Sequence, residues 1–215
     1  DGFTVGSSGG VNGSGDTLVS WNWKANGAGS ANTNGSTNST VSINDTAGFS
    51  IVSYVGNSTN STVGHGLSTA PKMIIFKNTN DTASWRVAHD SIGWNKSLFL
   101  DNTNATQTEP TYFNSTAPTN QVFYLGTNGG ANNSGDNIIA YCFAEKTGYS
   151  KFGSYTGNGN ADGTFCYTGM KPSFVMLKKT SGTGNWQLFD NKRAGYNPDN
   201  DVLRPNLSNV ECTSC

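Results

Sequence analysis

The acidic side chains and histidines of the chain are too few and too scattered to form a recognisable catalytic set. The three glutamates are Glu109, Glu145 and Glu211, and they lack the alternate spacing that places paired carboxylates on one strand face in sandwich-type glucanases. The histidines, His65 and His89, lie near no G-x-S-x-G turn. The sequence does not show whether folding brings pairs of aspartates together. Because catalysis needs positioned acids, bases or nucleophiles, the sequence predicts no catalytic residues and no enzyme.

The loop N-G-N-A-D-G at residues 158–163 resembles the start of a calcium-binding loop. It has oxygen-bearing side chains at alternate positions and glycine at the sixth. It carries one carboxylate, Asp162, and lacks the glutamate that closes such loops at the twelfth position. A glycine-rich hairpin is therefore favoured over a metal site.

The cysteines do not form a disulfide framework for a chain of this length. They are Cys142, Cys166, Cys212 and Cys215. Cys212 and Cys215 make a C-x-x-C pair, but zinc would need two further ligands at suitable spacing. Free thiols or an incidental bridge are favoured over a metal centre, and the sequence predicts no metal and no cofactor.

Two loops combine aromatic residues with polar neighbours that could contact a sugar. Trp94 with Asn95 lies in I-G-W-N-K, and Arg193 with Tyr196 lies in K-R-A-G-Y-N. An exposed ring can stack on a sugar while amide and guanidinium groups hydrogen-bond its hydroxyls. These four residues are the predicted glycan or partner contacts. For Trp94, burial by packing or at an interface is the favoured alternative.

Composition and charge exclude two classes of partner. The chain has 13 Lys and Arg against 14 Asp and Glu, with no basic run, so nucleic-acid binding is not expected. No stretch approaches the ~20 apolar residues that span a bilayer, so membrane insertion is not expected. Charged residues are only 13% of the chain, and Gly, Asn, Ser and Thr supply its polarity instead.

The apolar residues occur in short runs that favour β-strands over helices. None repeats with a 3.6-residue period over a helical length. The runs are FSIVSYV, KMIIFK, WRVAH, SLFLD, QVFYLG and NIIAYCFA, each bounded by turn-forming residues. About seven strands in about 100 residues indicate an all-β antiparallel sandwich with little or no helix. The last run is apolar on both faces, which predicts a central strand covered on each side.

The chain repeats itself twice. FTVGSSGGVNGSGD from Phe3 reappears as FYLGTNGGANNSGD from Phe123, a shift of 120 positions. GFSIVSYVGN from Gly48 reappears as GYSKFGSYTGN from Gly148, and APKMIIFKN from Ala70 as KPSFVMLKK from Lys171. Such self-similarity indicates a tandem array of one structural unit.

The repeats divide the chain into four parts. The predicted organisation is closing strands of one repeat at 1–24, a linker or long loop at 25–47, a complete sandwich at 48–145, and a second sandwich at 148–215. The second sandwich lacks its closing strands, and the first segment lacks its opening half. We hypothesise that residues 3–24 complete the sheet begun at 148–190, within one chain or by donation to a neighbour.

One combination of motifs carries a family resemblance. GFSIVSYVGN, APKMIIFKN, NNSGDNIIAYCFAEKTGYSKFGSYTGNGNADGTF and NWQLFDNKRAGYN together span most of the chain. The combination resembles the repeat region of marine tailed-bacteriophage structural proteins, which are tail-fibre-like and carry concanavalin A-like lectin modules. The resemblance implies tandem jelly-roll or concanavalin A-like sandwiches at a virion surface. It also implies self-association, contact with other virion proteins, and adhesion to a host-surface glycan.

The expected function is accordingly that of a structural virion surface protein, a fibre, decoration or filament component. The alternative is a carbohydrate-binding module of a secreted adhesin or extracellular filament. A polysaccharide depolymerase spike is the third and least favoured alternative. All three place the protein at a virion surface or outside the cell.

Overall fold

The protein is all-β, and its strands pair only in antiparallel fashion in the residues that the computed structural model describes, 2–193 and 201–213. The elements in chain order are α1 (Gly9–Asn12), β1 (Ser30–Asn32), β2 (Ser39–Asn44), β3 (Phe49–Val55), β4 (Ser61–Gly64), β5 (Met73–Asn78), β6 (Arg86–His89), a 3-10 helix (Asp90–Ile92), β7 (Lys96–Phe99), β8 (Gln107–Thr108), β9 (Val122–Leu125), α2 (Gly129–Asn132), β10 (Asn137–Phe143), β11 (Phe174–Lys178) and β12 (Trp186–Asp190). Over the same residues, no helix has the length and apolar character needed to cross a bilayer.

The six apolar runs of the sequence all form strands, as predicted. They become β3, β5, β6, β7, β9 and β10. Eight strands form one sheet in the order β1-β2-β3-β10-β5-β6-β7-β8. β10 therefore lies at the centre, with Phe143 opposite Phe49 of β3 on one side and opposite Met73 of β5 on the other. The prediction of a central strand is confirmed.

One face of this sheet packs against the two-stranded sheet of β4 and β9. Phe76 of β5 is fully buried, with the ring of Phe113 stacked at 5.4 Å and the ring of Phe123 edge-on at 5.5 Å. Phe123 belongs to β9, where it pairs with Val63 of β4. Alternate residues of β10, starting with Ile138, complete this layer. Burial of these rings is the main apolar contribution to the first core.

The opposite face of the sheet packs against the hairpin of β11 and β12. Met73, Val87 and Leu98 form a second core with Trp186, which is almost fully buried. The indole Nε1 of Trp186 donates a hydrogen bond of 2.7 Å to the Phe99 carbonyl. The central strands are thus covered on both faces, which explains why their apolar runs do not alternate with polar residues.

The prediction of a linker or long loop over residues 25–47 is wrong for residues 30–32 and 39–44. These residues form β1 and β2, and β2 pairs with β3 from Ser39 opposite Tyr54 to Asn44 opposite Phe49. Val41 faces the first core and is buried. The Ser, Thr and Asn composition concealed these strands because backbone pairing of β2 with β1 and β3, together with the apolar side chains of Val41 and Ile43, is enough to hold β2 in the sheet.

Residues 2–24 and 146–173 contain no strand, although the repeat predicted strands in both. The first segment has α1 as its one regular element, and the second has only a bridge between Lys146 and Ser150. In residues 30–145, which we call the first module, the equivalent strands pair with each other, β3 with β10 and β4 with β9. Here the two segments lie unpaired, so the strands that their sequences predict are not formed.

Candidate functional site

Trp94 is a core residue and does not present its ring to solvent. It follows the 3-10 helix and is only 8% exposed. Its ring meets Phe113 edge-on at 6.3 Å, and its Nε1 donates to a carboxylate oxygen of Asp90 at 3.3 Å. Asn95 beside it is half-buried. The structure therefore assigns Trp94 to packing, the alternative favoured by sequence, and corrects its selection as a glycan contact.

Arg193 is held in an ion-paired cluster and is not free to contact a sugar. Its Nε donates to Asp190 Oδ2 at 3.0 Å, and its Nη1 donates to Glu211. Its Nη2 donates to the Leu188 carbonyl at 3.3 Å, and the side chain is 9% exposed. Arg193 thus ties the segment around Glu211 to β12. Tyr196, its predicted partner, lies outside the described residues.

The pKa of Asp190 lies below the usual value for aspartate. Burial alone would raise that pKa, but the Lys192 backbone N–H and the Arg193 guanidinium together outweigh it. The indole Nε1 of Trp21 adds a hydrogen bond to the same carboxylate at 3.3 Å. Asp190 is therefore the point at which the N-terminal segment, β12 and the segment near Glu211 meet.

Acidification is expected to release this cluster. A carboxyl group with a depressed folded pKa contributes stability above its unfolded value, and that stability is lost as pH falls through the folded value, below about pH 4. The Asp190→Asn variant should lose less stability than wild type when pH is lowered from about 6 to 3. Urea unfolding at each pH measures this effect. The exposed Asp162→Asn is the control, and equal pH profiles for wild type and Asp190→Asn would contradict the assignment.

The two histidines support loops. His65 is completely buried; its Nδ1 accepts from the Leu67 N–H at 3.1 Å, and its Nε2 lies 3.1 Å from the Thr119 carbonyl. His89 accepts from the Ser91 N–H at 3.1 Å and so caps the 3-10 helix. Burial lowers the pKa of both imidazoles, which keeps them neutral at physiological pH.

The cysteines fall into three environments. Cys142 is buried in β10, and its burial raises the pKa of the thiol. Cys166 is an exposed free thiol, and Cys212 is disulfide-bonded. Cys215 lies outside the described residues. Within residues 2–193 and 201–213, no three His, Cys, Asp or Glu side chains are grouped so that they could hold a metal ion.

Most of the large apolar side chains that are exposed in the described residues lie on the two unpaired segments, which we call the N-segment (residues 3–23) and the C-segment (residues 149–167). Phe165 is 86% exposed, and residues 165–172 line an open cavity of about 400 Å³. The other large exposed side chains of the two segments are Phe3, Val5, Val11, Leu18, Val19, Trp23, Tyr149, Tyr155 and Tyr167. An apolar surface of this extent marks an interaction site.

Sequence reasoning predicted that residues 3–24 pair with residues 148–190, but it did not single out Phe165 and Tyr167. These side chains matter because they are exposed, and residue type alone does not show exposure. The surface offers unpaired backbone and aromatic side chains, which can bind another β-segment.

Comparison with known proteins places the chain in one family. No curated protein and no solved structure matches it. One family model matches residues 1–215, the whole length of the chain. The chain therefore belongs to the family described as Domain of unknown function (DUF7483).

Proposed function

We propose that the protein is a structural, non-enzymatic component of a virion surface, built of tandem β-sandwich modules of the jelly-roll or concanavalin A-like type. The first module supports this architecture, because its eight-stranded sheet is covered on one face by β4 and β9 and encloses an aromatic core. In this role the module serves in a tail fibre, decoration or filament. Self-association and contact with other virion proteins are its expected interactions.

The observation that carries the proposal is the packing of two equivalent hairpins against each other. β5–β6 and β11–β12 have the same register, since Met73 opposite His89 corresponds to Phe174 opposite Asp190. Ile75 of the first hairpin and its equivalent, Met176 of the second, belong to the same core cluster. Contact between neighbouring copies of one unit is how repeat proteins build rigid, extended structures.

The surface loops also favour a structural and adhesive role. They are held by short polar side chains that hydrogen-bond to backbone N–H groups nearby, as Asn57 does with Thr59 at 2.9 Å and Asn128 with Gly130 at 3.0 Å. The chain carries a net charge of only −1. Polar, nearly uncharged and internally bonded loops suit contact with a host-surface glycan without electrostatic attraction to nucleic acid.

Imaging of particles tests the proposal. We expect an antibody raised against the purified chain to label intact virions at regular positions on a fibre or on the outer shell. Preincubation of the antibody with the chain is the control and should abolish the labelling. Purified particles that contain no detectable chain by mass spectrometry would contradict a virion role.

A carbohydrate-binding module of a secreted adhesin or filament is the second candidate. The observation that favours it is the exposure of two tyrosine rings, Tyr155 and Tyr167, in the C-segment. A glycan array tests this function directly. Binding that is lost in Tyr155→Ala and Tyr167→Ala, but kept in the exposed control Val55→Ala, would support it. An array without any specific signal would contradict it.

A further inference from the structure

The N-segment exposes apolar side chains whose repeat equivalents are buried. Phe3 is 67% exposed, whereas its equivalent Phe123 is 1% exposed. Leu18 is 55% exposed, whereas its equivalent Ile138 is fully buried. In the first module these equivalents belong to β9 and β10, which close the core over β5. The N-segment thus carries the apolar side chains that close a core of this type, but here Phe3 and Leu18 are exposed.

The hairpin of β11 and β12 supplies a half-covered sheet of the matching kind. Its residues follow those of β5 and β6 at a shift of 101 positions, so Val175 corresponds to Ile74 and Leu177 to Phe76. Ile74 and Phe76 are fully buried, whereas Val175 and Leu177 are only partly buried. The face of β11 that points away from Trp186 therefore corresponds to the face of β5 that β4 and β9 cover in the first module.

The N-segment already has the local conformation of its equivalent. α1 and α2 lie 120 positions apart, and both end in asparagine. Asn12 Nδ2 donates to the Gly6 carbonyl at 2.9 Å, and Asn132 Nδ2 donates to the equivalent Gly126 carbonyl at 2.7 Å. Only Asn132 also bonds to the loop after β3, where it donates to the Thr59 carbonyl. The N-segment thus has the local conformation of the paired segment, but Asn12 does not make the equivalent of the bond from Asn132 to Thr59.

The C-terminal end of the N-segment is already placed beside β11 of its own chain. The ring of Trp23 lies 5.8 Å from that of Phe174 and edge-on to it. Their equivalents, Phe143 and Met73, are directly paired in the first module. The following residues are held to β2, because Asn44 Nδ2 donates to the Lys24 carbonyl at 3.2 Å. The pairing of Trp23 with Phe174 that the repeat predicts can therefore be made within one chain.

A charge pair would be made by the same register. In the first module, Asp136 Oδ2 accepts a hydrogen bond of 2.7 Å from Asn78 Nδ2. The equivalents of these residues are Asp16 and Lys179. The second module would therefore replace an amide–carboxylate bond by a Lys–Asp ion pair.

We propose that the N-segment folds back onto the second hairpin of the same chain. Residues 17–23 add as a strand between β11 and residues 149–155, and residues 3–5 pair with the stretch around Phe165. The occupant of the exposed β11 face is thus a segment of the same chain. A second copy of the chain is the alternative outcome of the test. The inference rests on the duplication used for the proposed function and not on a place in a virion.

An engineered disulfide tests the register. Ile139 is paired with Lys77 in the first module, so Val19 should face Lys178 in the second. Val19→Cys with Lys178→Cys, in a Cys166→Ser background, should form a disulfide within the monomer on mild oxidation, because paired strand residues are within disulfide reach. Val19→Cys with Lys179→Cys is the control; it shifts one side chain to the opposite face and should cross-link at least ten times more slowly.

Each outcome decides the proposal. A cross-linked monomer by size-exclusion chromatography and mass spectrometry supports it. Cross-linked dimers or longer species would show that a second copy is the occupant, and would overturn same-chain closure. Equal reactivity of the two cysteine pairs would overturn the register. The cross-link forms or fails in the purified chain whether or not virions contain the protein, so it is independent of the imaging test.

A second measurement needs no disulfide. Asp16→Lys should raise the hydrogen-exchange rate of backbone amides in residues 3–19 at least several-fold, since it places two like charges together. Adding Lys179→Asp should restore the slow exchange by reversing the pair. Rates that are unchanged in Asp16→Lys, or unrestored in the double variant, would overturn the predicted contact.

Discussion

Replacing Phe76 by alanine is expected to lower the free energy of unfolding by about 3–5 kcal/mol. Phe76 lies on the central part of the sheet and is fully buried between the rings of Phe113 and Phe123. Alanine would leave a cavity at the junction of three chain segments. The surrounding strands are fixed by backbone pairing and can collapse only partly into that space, so most of the packing energy is lost.

Denaturant unfolding followed by fluorescence and circular dichroism measures this loss. Val55→Ala on β3 of the same sheet is the matched control, because Val55 is half exposed. We expect Val55→Ala to change the free energy of unfolding by no more than about 0.5 kcal/mol. A loss below about 1 kcal/mol for Phe76→Ala would show that Phe76 is not part of a tightly packed core.

Asn132→Ala is expected to be as damaging as a deletion in the aromatic core, although it removes only a polar group. Asn132 is fully buried at the end of α2. Its Nδ2 donates to the carbonyls of Thr59 and Gly126 at 2.7 Å each, and its Oδ1 accepts from the Asn57 N–H at 2.9 Å. Alanine would leave three backbone groups without partners, at about 1–3 kcal/mol each before relaxation. We therefore expect a total loss of about 3–5 kcal/mol.

Thermal unfolding measures the loss, and hydrogen exchange at the Asn57 amide shows where it arises. That amide should exchange faster in Asn132→Ala even below the unfolding transition, since its acceptor is gone. The control is Asn38→Ala, because Asn38 is exposed and lies just before β2. A change of less than about 0.5 kcal/mol for Asn132→Ala would contradict the role of this side chain as the clamp between α2 and the loop after β3.

The two cores differ in how completely the chain closes them. The first core is enclosed by the large sheet, by β4 and β9, and by the loop that carries Phe113. The second lies between equivalent hairpins and is sealed at its centre by Trp186. Stability measurements on the first core and cross-linking at the second therefore examine separate parts of the architecture.

The apolar runs of the sequence determined which segments become strands. The residues of β3, β5, β6, β7, β9 and β10 could be predicted because short β-branched and aromatic runs between turn residues are a local pattern. The central place of β10 could also be predicted, because a strand apolar on both faces needs a covering layer on each. The duplication could be seen in the sequence because it too is a local pattern. The structure repeats it in α1 and α2, which lie 120 positions apart.

Tertiary structure alone decided which side chains of the predicted site are accessible. Trp94 and Arg193 are residue types that bind sugars when exposed. Trp94 is instead packed against Phe113 and bonded to Asp90. Arg193 is instead paired with Asp190 and Glu211. β2 was likewise hidden in a polar stretch, because it is held by backbone bonds to β1 and β3 that its composition does not reveal. Local sequence sets which conformation a segment prefers, whereas burial depends on segments that are distant in the chain and meet only in the fold.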